Sequence, residues 1–234
     1  MQFDFSAYSH VGLRENNEDS FGTVPGEDVF AAVVADGVGG HAMGEEASKT
    51  AVSHILSKLK DRSPDEDHLL DAITGASLAI GEEVFHGYTT VTALWLTPRE
   101  AIAAHVGDSR IYQFRDGKIL YQSQDHSDVM MAVLMGELPP ESPRTHPSRN
   151  RIFRALGLPG EAPKVDSSVL SVRPGDRFLL CSDGFWEPVW EEDMLRTMAQ
   201  TETAEEWLRQ MRSLVEAAED PMQDNHTAIA ILVK

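Results

Sequence analysis

Apolar residues follow strand and helix rhythms by turns along this chain. Residues 29–35 are a continuous apolar run that delivers Asp36 into the glycine-rich turn Gly37-Val38-Gly39-Gly40. The device recurs at His105-Val106-Gly107-Asp108 and at Leu179-Leu180-Cys181-Ser182-Asp183-Gly184, and Asp224-Asn225 stands just before the apolar run of residues 228–233. Short apolar runs bounded by turn residues read as buried strands, so four aspartates are expected at strand mouths. Between residues 43 and 60, Ala47, Ala51, Val52, Ile55, Leu56 and Leu59 recur at helical spacing. Glu45 and Glu46 open that helix and Lys58 and Lys60 close it, as the macrodipole favours. Ser63-Pro64-Asp65-Glu66 reads as a capping box with proline in the first turn of a second helix, running through Leu69, Ile73, Ala76, Ile80 and Val84.

Residues 2–9 alternate loosely and read as a first strand. After Gly87 the pattern turns β-rich, and residues 88–97, 101–106, 110–115 and 118–123 predict one antiparallel meander with an Asp116-Gly117 hairpin turn. Residues 164–170 and 177–181 read as further strands and 227–233 as the last. Helices are expected near 129–135, 190–199 and 202–219, with Asp220-Pro221 ending the series. Residues 124–160 carry prolines at 139, 140, 143 and 147, and crowd Arg144, His146, Arg149, Arg151 and Arg154 together. That stretch reads either as a solvated loop or as a flap meeting the negative charge of a phosphorylated substrate. Repeats, low-complexity tracts and long linkers are absent, so residues 1–234 are expected to form one domain.

Composition narrows the function. A hydrophobic fraction of 41% and a charged fraction of 25% over 234 residues are ordinary for a globular chain. The formal charge of −18 argues against nucleic acid or an anionic membrane as partner and suits cation binding, although solubility alone also accounts for it. One cysteine, Cys181, excludes an internal disulfide and fits a reducing compartment. With no signal-peptide pattern and no run of 18 apolar residues, a cytoplasmic location is expected.

Gly37-Val38-Gly39-Gly40-His41-Ala42 imitates a dinucleotide fingerprint, but a pyrophosphate beside Asp36 would need an intervening cation. With a cation the geometry becomes favourable, because hard divalent ions prefer carboxylate and carbonyl oxygens. The aspartates at the strand mouths, Arg14 just ahead of Glu18 and Asp19, and the lack of any zinc-spaced Cys or His set favour a binuclear Mg²⁺ or Mn²⁺ site. Two such ions can share a bridging water, lower its pKa and clamp phosphoryl oxygens for in-line attack. A cysteine phosphatase is excluded, since the loop from Cys181 has Glu187 where a phosphate cradle needs arginine.

In this order, residues 14–19, residues 34–48, Thr89-Thr90, residues 106–110, Asp125-His126-Ser127, His146-Pro147 through Ala155-Leu156-Gly157, Ser182-Asp183-Gly184 and Asp224-Asn225 resemble the motifs of bacterial metal-dependent Ser/Thr protein phosphatases of the type 2C, or PPM, family. Each motif alone is weak; the ordered set spans nearly the whole chain and is specific. The resemblance implies an α+β fold, an αββα sandwich of two antiparallel sheets flanked by helices, with metals at one end between the sheets. It implies that Asp36 bridges two Mn²⁺ or Mg²⁺ ions, that the Gly37 carbonyl binds one and that Asp183 and Asp224 bind the other. Glu18 and Asp19 would order metal-bound waters with Asn225 beside them, and Arg14 would grip the substrate phosphate. Asp108 with Asp183 would hold a third, weaker ion near a flap of residues 127–150.

The implied reaction is hydrolysis of phosphoserine and phosphothreonine in phosphorylated proteins, opposing a cognate bacterial Ser/Thr kinase, by a monomeric enzyme. Competing readings are an inactive phosphopeptide-binding regulator and a phosphatase of an anti-sigma antagonist. Two positions depart from the family pattern. Val38 stands where animal relatives carry a histidine proposed as general acid, which leaves that acid unassigned, and Tyr88 replaces a frequent glycine before Thr89-Thr90.

Overall fold

The computed structural model describes residues 2–38, 42–60, 62–84, 86–158, 160, 162–218 and 222–234. Two antiparallel sheets form the centre. The first contains β1 (Phe3–His10), β7 (Arg110–Arg115), β8 (Lys118–Gln122), β10 (Arg177–Cys181) and β11 (His226–Val233), in the order β1-β11-β10-β7-β8. The second contains β2 (Asp19–Pro25), β3 (Phe30–Val38), β5 (Val91–Leu96), β6 (Glu100–Val106) and β9 (Asp166–Ser171), in the order β2-β3-β5-β6-β9, with β4 (Tyr88–Thr89) pairing the end of β3.

The continuous apolar runs follow from burial on both faces. Phe30, Ala32 and Val34 of β3 pack with Leu94, Phe178, Leu180, Ile229 and Ile231 in a core between the sheets. The alternate residues Ala31, Val33 and Ala35 face Ala51, Ile55, Ile73 and Ile80 of α1 (Ala42–Leu59) and α2 (Glu66–Glu83). On the other outer face, Leu179, Ala228 and Ala230 pack against Met194 of α6 (Glu191–Ala199) and Trp207 and Met211 of α7 (Ala204–Ala217). The layers are therefore helix, sheet, sheet, helix, the expected αββα sandwich. Each fully buried Leu, Ile or Phe in these cores contributes about 1.5–3 kcal/mol.

Several expectations change. The predicted single meander is two hairpins in different sheets: β5 pairs β6 and β7 pairs β8, while the chain crosses between sheets at residues 107–109. Strand rhythm is the same in both sheets, so the crossing leaves no periodic mark. The hairpin turn itself is as predicted, with Asp116 at φ +51° and Gly117 at φ +70°. Strand β2 was unforeseen, being half-buried and interrupted by Gly22 with Pro25 at its end. The second helix starts at Glu66 rather than at Ser63, because the Asp65 carboxylate accepts the His68 N–H at 3.1 Å and takes the N-cap position. The helix expected at 129–135 is α3 (Asp128–Leu134), capped by Ser127, and α4 (Ser142–Thr145) follows it. A further short helix, α5 (Asp183–Trp186), begins on the aspartate that was placed in a turn. Gly39, Gly40 and His41 of the glycine-rich turn, and the Asp220-Pro221 stop, lie outside the described residues.

Gly37 and Gly44 let the end of β3 run against the first turn of α1: a Cβ on Gly37 would overlap the Gly44 carbonyl oxygen. Gly37→Ala is expected to lower stability by about 1–3 kcal/mol through overpacking. This reads as a lower urea midpoint at unchanged m-value.

Candidate active site

At one end of the sandwich a cleft of about 550 Å³ is lined by Arg14, Glu18, Asp36, Gly37, Asp108, Asp183, Asp224 and Asn225. Of the nine site residues implied by the family resemblance, Asp19 alone does not line it. Asp36 lies within β3, Asp108 on the crossing between β6 and β7, Asp183 at the first position of α5 and Asp224 just before β11. Asp19 is buried at the start of β2, directly opposite Asp36 in the ladder.

Backbone hydrogen bonds fix these positions. The Asp36 carbonyl accepts the Thr89 hydroxyl and the Thr90 N–H, both at 2.8 Å, and the Asp36 N–H donates to Thr90 Oγ1 at 3.0 Å. Asn225 Oδ1 accepts the Glu18 N–H at 2.7 Å, while its Nδ2 donates to Val11 and Asn16 carbonyls at 2.8 and 2.9 Å. One amide thus staples residues 11–18 to the start of β11. The Glu18 carbonyl accepts the Gly37 N–H at 3.1 Å and the Ser48 hydroxyl at 2.6 Å. Ser182 donates to Asp19 Oδ2 at 2.7 Å and accepts the Thr227 N–H at 3.0 Å. The supporting roles of Ser48 and Ser182 had no signal in sequence, because a serine next to a strand or in a helix is common.

The carboxylates burden one another. Burial first, then the charges of Asp19, Asp183, Asp108 and Asp224, push Asp36 well above the usual carboxylate range. Burial and Asp183 do the same to Asp108. Burial, reinforced by Asp224, raises Asp183 to about 6, and burial raises Asp19 to about 7 against the Ser182 hydrogen bond. Asp19 Oδ1 and Asp183 Oδ1 are buried without a hydrogen-bond partner among the described residues. Arg14 Nη2 pairs with Asp224 Oδ2 at 2.7 Å, with the arginine half-exposed. Arg110, two residues beyond Asp108, is committed to Asp125 through bonds of 2.8 and 2.7 Å.

Clustered carboxylates with orphaned oxygens, beside a backbone carbonyl at Gly37, are the donor set of hard divalent cations. A second group, His105, His126 and Asp166, has ligand atoms within 4.8 Å of one another. Its members are partly engaged elsewhere: His105 Nε2 lies 2.8 Å from the Gln124 carbonyl oxygen, while His105 Nδ1 is buried without a hydrogen-bond partner among the described residues. The Gly107 N–H donates to His126 Nδ1 at 3.0 Å, and His126 Nε2 lies 3.1 Å from Asp166 Oδ2 and 3.0 Å from Arg154 Nη1, with burial pushing the ring down to about 4. Arg154, 2.7 Å from Asp166 Oδ1, supplies the cation. Two other arginines of the 124–160 stretch are also spent internally: Arg144 pairs with Glu191 at 2.8 Å and Arg149 with Glu187 at 2.7 Å, while Arg151 is exposed. The stretch is closed at its base by the Ser127–Ile152 bridge.

A family model described as protein phosphatase 2C matches residues 7–225. The chain is 38% identical over 211 residues to the serine/threonine protein phosphatase PstP of Mycobacterium tuberculosis, covering 86% of this chain and 40% of that protein. It therefore spans well under half of that relative's length. It is 32% identical over 220 residues to the serine/threonine phosphatase stp of Listeria monocytogenes, covering 88% of this chain and 83% of the relative. The crystal structure of M. tuberculosis PstP/Ppp superposes with a TM-score of 0.86 at 32% identity over 99% of both chains. The PstP catalytic domain in complex with two manganese ions superposes at 0.83 with 31% identity, again over 99% of both. On the match of sequence motifs, family model and fold, the chain belongs to the protein phosphatase 2C family.

Proposed function

We propose that this chain is a metal-dependent protein phosphatase that hydrolyses phosphoserine and phosphothreonine in phosphorylated proteins, opposing a Ser/Thr kinase. The observation that carries this reading is the convergence of Asp36, Asp108, Asp183 and Asp224 on one cleft, where Asp183 keeps a buried, unbonded oxygen. The relative solved with two manganese ions supports it. Asp36, the Gly37 carbonyl, Asp183 and Asp224 would hold two Mn²⁺ or Mg²⁺ ions, and Asp108 with Asp183 a third. Bound there, such ions supply an acidified water as nucleophile and neutralise phosphoryl charge.

The protein's own groups do the rest. Arg14, half-exposed at the cleft rim, binds the phosphate by its guanidinium fork once it exchanges Asp224 for the substrate. Asn225 holds the loop that carries Arg14 and Glu18. Asp19, hydrogen-bonded by Ser182 and opposite Asp36 in the ladder, would order a metal-bound water with Glu18. Residues 127–150, pinned by Arg144 and Arg149, form the flap over which the substrate chain passes. No helix of the described residues is long and apolar enough to cross a membrane.

Phosphate release from a phosphothreonine peptide, followed with Mn²⁺, with Mg²⁺ and with a chelator, tests the reading; release that the chelator does not abolish overturns it. Asp36→Asn is expected to cut kcat by about a hundredfold or more, since ligand-shell losses alone reach that size. Arg14→Ala is expected to raise KM for the peptide by about tenfold or more, the worth of a charged hydrogen bond. An unchanged KM would refute the grip.

The metal-free protein carries a pH signature. Asp19, Asp36, Asp108 and Asp183 hold protons more tightly folded than unfolded. Their contribution is complete below pH 3.8 and is lost as pH rises through about 6 to 7 and beyond. His126 and His226, both depressed to about 4, impose the opposite slope below pH 6.5 and none above it. Thermal melts of chelated protein should therefore fall between about pH 6.5 and 8, and saturating Mn²⁺ should flatten that fall. Identical slopes with and without metal would count against the metal assignment.

A further inference from the structure

Trp186 closes α5, the four-residue helix whose first residue is Asp183. Its side chain is 2% exposed, and its indole Nε1–H donates to the backbone carbonyl of Asp108 at 3.0 Å. The Arg110 guanidinium lies 3.4 Å from the ring centroid and Arg144 lies 5.3 Å from it. Arg110 is locked in turn by its two bonds to buried Asp125 and by Tyr112 OH at 3.0 Å. Arg144 comes from α4 in the 127–150 segment; it donates to the Trp186 carbonyl, to the Glu187 carbonyl at 2.9 Å and to Glu191 at 2.8 Å. One indole therefore joins the helix carrying Asp183, the crossing segment carrying Asp108 and the flap.

We propose that Trp186 is a positioning residue that sets the spacing between the Asp108 and Asp183 carboxylates, and that Arg144 makes this spacing depend on how the flap is seated. The inference rests on the reading above, in which those two carboxylates share the weaker cation. Asp108 sits on a turn between two sheets, and neither sheet's ladder fixes its carbonyl; the indole N–H does so from α5. A buried tryptophan N–H seeks a partner, and the stacked guanidinium holds the ring in place.

Trp186→Phe keeps an aromatic face for Arg110 and Arg144 and removes the donor together with part of the buried ring volume, and a pure packing loss would weaken every class of site alike. Mn²⁺ binding is followed by calorimetry and by electron paramagnetic resonance of free Mn²⁺, with no substrate present. The weakest class of Mn²⁺ sites should lose about fivefold in affinity, the size of one neutral hydrogen bond, while the tighter class stays unchanged. Arg144→Met should weaken the same class and spare the tighter one. The decisive comparison is Trp186→Phe in an Asp108→Asn background, with Asp108→Asn alone as reference. If Trp186 acts through Asp108, the second substitution adds no further loss. If the two losses add, or if Trp186→Phe weakens every class alike, Trp186 is a packing residue and the proposal falls. A wild-type protein that binds no Mn²⁺ would instead overturn the metal reading itself. Retention of the tighter class in Trp186→Phe shows in the same titration that the variant is folded.

Discussion

The like charge gathered at one end of the sandwich is the constraint to which the site's surroundings answer. Asp19 faces Asp36 across two paired strands, and Asp108, Asp183 and Asp224 close on the same cleft. Like charges directly opposite in a sheet destabilise it, and burial magnifies the cost. The scaffold responds by fixing backbone rather than by neutralising side chains. Thr89, Thr90, Ser48 and Asn225 hold main-chain atoms of Asp36, Glu18 and the loop before it. Apart from Arg14, the arginines near the cleft are spent on Asp125, Glu187 and Glu191. Those choices leave carboxylate oxygens open on a rigid frame, which suits a cation site and makes the protein's stability answer to pH and metal together.

Residues 127–154 illustrate the same economy of charge. Their local basic excess looks in sequence like a surface waiting for an anion. In the structure Arg144, Arg149 and Arg154 each meet an acidic partner from another segment. Arg144 and Arg149 tie their segment to Glu191 of α6 and to Glu187 just after α5, Arg154 ties to Asp166 of β9, and Arg14 is half-exposed at the cleft rim.

Much of this was legible in the sequence, for identifiable reasons. Continuous apolar runs at 29–35 and 228–233 announce strands buried on both faces, and β3 and β11 are such strands. Asp36 follows the first run and Asp224 precedes the second, so their place at strand mouths could be anticipated. What could not be read was sheet membership, since residues 101–106 and 110–115 alternate alike but belong to opposite sheets. Strand β2 was hidden by half-burial and by Gly22, and the cap at Asp65 by a competing Ser63. The grip of Trp186 on Asp108 bridges 78 residues and leaves no local trace.

The pairing of β1 with β11, from Phe3 opposite Val233 to His10 opposite His226, brings together the two most distant strands of the chain. The loop bearing Arg14 and Glu18 leaves β1 and finds its anchor in Asn225, at the start of β11. Contacts of such long sequence separation form late and slowly, because loop-closure entropy must be met before they reward it. A chain that lacks residues 225–233 therefore lacks both the partner of β1 and the amide that anchors the loop bearing Arg14 and Glu18.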